Sequence, residues 1–173
     1  MVFEQLTGEA AKHNWRVMLV GGQGGVAQKA AEHFVQRASQ QGNKLTICAE
    51  TGPWLDKTGE PTSQHEARVE QATIGKINKF KPHLLFVAFG LPKQEIWLSK
   101  HMNRLNVRVA MVVGGSFDYA AGNVPIPPEG VSRAGFEWLW RLLTQPWRAK
   151  RIATALLVFP WLVFLSKLHQ KTN

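Results

Sequence analysis

The residues of this chain best suited to chemistry fall in three glycine-marked turns: Gly21-Gly22-Gln23-Gly24-Gly25, Gly90-Leu91-Pro92-Lys93-Gln94-Glu95 and Gly114-Gly115-Ser116-Phe117-Asp118. Glycine permits positive φ and close backbone approach, and a helix beginning just after such a turn offers unpaired N–H groups to an anion. Together the turns suit a phosphate-bearing ligand. In the first, Gly22-Gln-Gly24-Gly-Val-Ala27 fits a dinucleotide-binding pattern, with Glu50 as a ribose-binding acid, although Glu50 lies 26 residues past Gly24 where about 20 is usual. A tight strand–helix turn alone also selects these glycines. In the second, Pro92 suits a helix entry and Glu95 the positive end of the helix dipole. Lys93 can hold phosphate there and Gln94 a sugar hydroxyl or a departing diphosphate; plain capping beside a solvated lysine is the alternative. In the third, Asp118 can bind ribose hydroxyls or cap its own loop.

Other chemistries find less support. The chain has two aspartates, Asp56 and Asp118, and neither belongs to an Asp-x-Asp pair that would clamp Mg²⁺ on a diphosphate. The six histidines show no metal-ligand spacing, so no metal and no cofactor is expected. No Gly-x-Ser-x-Gly nucleophile elbow occurs. Cys48, the single cysteine, excludes an intramolecular disulfide and reads as a small core residue.

The elements that must position these turns alternate. Arg16–Val20, Lys44–Cys48, His83–Phe89 and Val107–Val113 are compact apolar runs that read as buried strands. Between them Val26–Gln40, His65–Phe80 and Gln94–Leu105 have helical spacing, and Gln5–Asn14 reads as a short helix before the first strand. Residues 51–64 and 120–134 read as loops, and Gly135–Leu143 as an aromatic helix. Strands separated by helices predict an α/β fold, a Rossmann-like parallel sheet flanked by helices. Ligands of such sheets bind beyond the carboxyl ends of the strands.

With 173 residues, 45% of them hydrophobic and 19% charged, the chain is an ordinary globular one. Its net charge of +9 is uneven: residues 133–173 hold seven Lys/Arg against Glu137 alone. No signal-peptide pattern opens the sequence. The longest apolar run, Ile152–Leu165, is interrupted by Thr154 and Pro160 and falls short of the roughly 20 residues of a spanning helix. A cytoplasmic protein is the expectation.

Taken in order, the turns resemble the WecG/TagA/CpsF family of bacterial glycosyltransferases (glycosyltransferase family 26). The resemblance rests on Val20–Ala31, on Leu85–Trp97 with its Phe-Gly-x-Pro-Lys-Gln-Glu block, on Val113–Gly122 with Gly-Gly-x-Phe-Asp, on Gly135–Leu142, and on Gln145-Pro-Trp-Arg148. It implies inverting transfer of a sugar, commonly of N-acetylmannosamine type, from a UDP-sugar to a polyprenyl-diphosphate-linked acceptor in surface-polysaccharide synthesis. It places Gln94 in the active site and makes Gly21, Gly22, Gly24, Gly25, Gly90, Pro92, Lys93, Glu95, Gly114, Gly115, Phe117 and Asp118 candidate substrate contacts. Family members carry a further N-terminal region holding the expected catalytic aspartate. The expectation is therefore that the general base is absent from this chain, which would be inactive alone or completed by a partner chain. A homo-oligomer is also open. The competing readings are an NAD-dependent oxidoreductase using Gly22, Gly24 and Glu50, and a nucleotide-sugar or lipid binding module without catalysis.

The domain expected to carry the chemistry is 1–145, followed by a tail, 146–173. Arg133, Arg141, Trp147, Arg148, Lys150, Arg151 and Trp161 combine cations and aromatics with a short apolar run. That mixture suits an interfacial segment on anionic lipid at the inner face of the plasma membrane better than nucleic-acid binding; a helix packed on the sheet is the other alternative.

Overall fold

The computed structural model of the chain describes residues 2–125 and 127–144. The chain divides into two compact units, the first ending at Asn123 and the second beginning at Val124. The expected division at 145/146 lies outside the described residues.

The first unit runs α1 (Val2–Lys12), β1 (Arg16–Gly21), α2 (Val26–Gln40), β2 (Thr46–Glu50), α3 (Gln64–Phe80), β3 (Leu84–Ala88), α4 (Lys93–His101), a 3₁₀ turn (Met102–Arg104), β4 (Val109–Val112) and α5 (Ser116–Ala120). The strands form one parallel sheet in the order β2-β1-β3-β4, with Val17 paired to Ile47 and Leu84, and Leu84 to Val109. The chain thus has the expected α/β, Rossmann-like fold.

Successive strand residues point to opposite faces, and both faces here are covered. Val17, Leu19, Leu84 and Phe86 join Phe3 of α1, Ala27, Ala30 and Phe34 of α2, and Phe117 of α5. Met18, Val20, Leu85 and Val87 join Ile74 and Ile77 of α3 and Trp97 of α4. Double coverage explains why β1 and β3 read as unbroken apolar runs rather than alternating ones. Phe3 is a hub of the first cluster, its ring edge-on to Phe34 at 5.1 Å and to Phe86 at 4.8 Å. Truncating such a side chain to Ala costs about 3–5 kcal/mol.

Helix starts follow local chemistry. Ser63 caps α3, its Oγ accepting the Glu66 N–H at 3.2 Å. The Glu66 carboxylate reaches the preceding loop, its Oε2 accepting the Trp54 N–H at 2.7 Å. At the opposite rim of the sheet, Arg16 N–H donates to His83 Nδ1 at 3.0 Å and joins the starts of β1 and β3.

Two expectations are corrected. The segment 120–134, expected as loop, contains a short helix, α6 (Glu129–Arg133), and Ser116–Ala120 in the third turn is helical as well. Five-residue helices are too short to display a periodic pattern. The second unit holds α6 and α7 (Glu137–Thr144). Within it Trp140 Nε1 donates to the Pro125 carbonyl at 3.1 Å, and Phe136, Leu139 and Leu143 are exposed. No helix among the described residues is long and apolar enough to cross a membrane.

Candidate functional site

From β1 the chain crosses to β2 on one side, and β3 then pairs with β1 on the other. The carboxyl ends of β1 and β3 therefore flank a topological switch point, where open α/β sheets leave a crevice. The first and second turns leave from these two strands, and the third leaves from β4, next to β3. All three stand at one rim.

The first turn divides into two functions. Gly21 has φ +112°, and a Cβ there would lie 2.5 Å from the Ala88 carbonyl oxygen; Gly22 N–H donates to that same oxygen at 3.2 Å. These two glycines let the end of β1 lie against the end of β3. Gly24 and Gly25 also have positive φ, but a Cβ on either would meet nothing within 4 Å. Gly25 caps α2 without any side-chain hydrogen bond, so the first-turn amides of a 15-residue helix face the crevice uncapped.

The second turn centres on Gln94, which is 3% exposed. Its Oε1 accepts the Gly90 N–H at 3.2 Å and its Nε2 donates to Glu95 Oε1 at 2.9 Å. Those two neighbours fix which way the amide points. Nε2 also lies 3.9 Å from where a Cβ on Gly114 would stand, so the second and third turns meet at this amide. Glu95 Oε2 is buried with no hydrogen-bond partner. Lys93 Nζ donates to the Leu55 carbonyl at 3.1 Å, which ties the 51–62 loop to the start of α4.

The structure reassigns some of the expected contacts. Phe117 is a core side chain, 1% exposed and packed on Phe3 at 5.5 Å, so it supports the first turn from beneath. Glu50 ends β2 as anticipated, yet both its carboxylate oxygens accept from Lys76 Nζ at 2.8 Å; α3 occupies the acid that a dinucleotide site would use. Cys48 is partly buried against the second cluster, and burial first, then Glu50, pushes its thiol above the ordinary value. Gly115 caps α5, and Asp118 sits in its first turn, half-buried. Arg133 lies exposed on α6. The side chain of Arg141, and all of Trp147, Arg148, Lys150, Arg151 and Trp161, lie outside the described residues.

A narrow cleft beside the first two turns is lined by Gly22, Gln23, Pro53, Trp54, Leu55, Ala88, Phe89 and Lys93. The sequence reading missed Trp54. Its indole is 55% exposed, while its carbonyl accepts from Thr62 N–H at 3.0 Å and its own N–H is held by Glu66. A tryptophan inside a Gly-Pro-Trp loop was the available signal. Among the described residues no cluster of His, Cys, Asp or Glu is placed to hold a metal.

The model of the glycosyl transferase WecG/TagA/CpsF family matches residues 1–173. The chain belongs to this family. Three proteins similar to this chain share one name, N-acetylglucosaminyldiphosphoundecaprenol N-acetyl-beta-D-mannosaminyltransferase. The protein of Bacillus subtilis (strain 168) is 28% identical over 152 residues, covering 87% of this chain and 53% of its own length. That of Bacillus spizizenii is 42% identical over 83 residues, 48% of this chain and 32% of the relative. That of Staphylococcus aureus (strain MRSA252) is 36% identical over 74 residues, 43% of this chain and 29% of the relative. The chain spans about half the length, or less, of these relatives.

Proposed function

We propose that this chain forms the donor-binding part of a glycosyltransferase that moves an N-acetylmannosamine-type sugar from a UDP-sugar to a polyprenyl-diphosphate-linked acceptor, in bacterial surface-polysaccharide synthesis. The observation that carries the reading is the buried amide of Gln94, held between the second and third turns at the rim where the first turn also ends. Family membership and the relatives' shared name support the reaction class.

In this reading the Gly24 and Gly25 amides and the open end of α2 hold the diphosphate, whose charge the helix dipole favours. Gly22, Gly90, Pro92, Gly114 and Gly115 shape the backbone around it. Lys93 and Gln94 stabilise the departing UDP as negative charge develops on it. Glu95 and Asp118 accept from sugar and ribose hydroxyls. The general base comes from a further segment or a partner chain, a reading supported by the half-length match to the relatives.

The second unit docks on anionic lipid at the cytoplasmic face of the membrane. Phe136, Leu139 and Leu143, exposed at helical spacing on and beside α7, support this, as does the cationic excess of residues 133–173.

Turnover of UDP-N-acetylmannosamine on a polyprenyl-diphosphate-linked N-acetylglucosamine acceptor tests the reading. The chain alone is expected to be inactive, and supplying the non-matching half of the Bacillus subtilis relative is expected to restore transfer. Robust transfer by the chain alone would overturn the assignment of the base. Failure to bind any UDP-sugar would overturn the function.

A further inference from the structure

We propose that Glu70 is a positioning residue for Gln94, acting through Trp97 and His101; the proposal rests on the reading of Gln94 as a contact to the departing diphosphate. Glu70 belongs to α3, is 4% exposed, and lies amid the apolar second cluster. Its Oε1 accepts the Trp97 indole N–H at 2.9 Å and meets His101 Nε2 at 3.1 Å. A carboxylate in such surroundings persists only when hydrogen-bonded, and both partners come from α4. His101 Nδ1 is buried without a partner, so the contact of Nε2 with Glu70 is the one hydrogen bond that holds the ring in place.

Trp97 and His101 are four residues apart and share one face of α4. Two bonds from that face converging on one oxygen fix both the rotation of α4 about its axis and its position along α3. Apolar burial is non-directional and fixes neither so sharply. Gln94 lies three residues before Trp97, on the same buried side, and its amide must reach Gly90 and Glu95 together. A rotation of α4 would break that pair first.

Both contacts fall on the same oxygen, and the amide oxygen of a glutamine can stand in its place. In the full 173-residue chain, Glu70→Gln should behave as the wild type. Glu70→Leu should make the Gly90 amide exchange with solvent about five- to tenfold faster, the weight of one hydrogen bond, while amides of β1 such as Leu19 stay protected. UDP affinity should fall by a similar factor. Trp97→Phe, which keeps a ring and loses one donor, should give a smaller change in the same direction and carries the test if Glu70→Leu does not fold.

Unchanged Gly90 exchange in Glu70→Leu and Trp97→Phe overturns the proposal, as does a Glu70→Gln variant as loosened as Glu70→Leu. Uniform loss of protection across β1 and Gly90 in Trp97→Phe overturns it too, because the pair would then serve stability alone. Faster Gly90 exchange with UDP affinity unaltered upholds the positioning and refutes instead the role given to Gln94.

Discussion

Gly90 and Gln94 hold each other by two hydrogen bonds. The Gln94 backbone N–H donates to the Gly90 carbonyl at 3.1 Å, and Gln94 Oε1 accepts the Gly90 N–H at 3.2 Å. The turn leaving β3 is thus closed on the first residues of α4, and the remaining amide nitrogen of Gln94 is directed at Glu95 and toward Gly114.

Replacing Gln94 by Ala therefore leaves the Gly90 N–H and Glu95 Oε1 without these partners in partly buried surroundings. The expected loss of stability is about 1–3 kcal/mol, read from urea denaturation. Binding of UDP should weaken by more than the loss in fold stability explains, when titrated under conditions where the variant is fully folded.

The first turn allows a paired comparison. Gly21→Ala should be severely destabilised, because its Cβ would lie 2.5 Å from a backbone oxygen and the strand ends would have to part. Gly24→Ala meets open space and carries only the left-handed backbone cost of about 1–2 kcal/mol. It should fold, yet bind a diphosphate more weakly. Soluble expression, thermal unfolding and UDP titration separate the two.

Burial and chain distance decide which of these features the sequence reveals. The strands β1 and β3 are readable because they are buried on both faces, and Gly21 at the end of β1 and Gly90 just past β3 limit their apolar runs. The strand expected over Val107–Val113 is β4 over Val109–Val112, and among the described residues it has one strand neighbour, β3, to extend it. Phe117 read as a ligand contact because it adjoins two glycines; its burial depends on Phe3, more than a hundred residues earlier in the sequence. Glu50 read as a ribose acid because nothing local shows Lys76 one helix away. The group of Glu70, Trp97 and His101 spans two helices separated by a strand, and no spacing rule within one element reveals it.

The occupied state of Glu50 has its own consequence. Its pair with Lys76 is largely exposed on the lysine side, so Glu50→Gln should change stability by about 1 kcal/mol or less. It should leave UDP affinity unchanged, whereas a dinucleotide site would lose its ribose contact. Parallel titrations of the wild type and the variant check this.

Acid sensitivity should arise at the amino-terminal rim of the sheet. Burial first, then Arg16 and Arg108, lowers the pKa of His83 below the ordinary 6.5. Its Nδ1 must remain unprotonated to accept the Arg16 N–H. The unfolded chain binds this proton more readily than the folded one, so stability rises with pH across the window just below 6.5. The contribution is complete above the unfolded-state value and is lost as pH falls toward the folded-state value. Denaturation midpoints from pH 7 down to pH 5 should show this slope, and His83→Gln should flatten it.

The central claim is that three turns at one rim of the sheet receive a single diphosphate. Backbone amide shifts of the ¹⁵N-labelled chain, followed during titration with UDP, test it most directly. Gly24, Gly25, Gly90 and Gly114 are predicted to move together with one common affinity, and NAD, whose diphosphate joins two nucleosides, is predicted to move them only at higher concentration. Movement confined to one turn, or an equal response to NAD, would contradict the account.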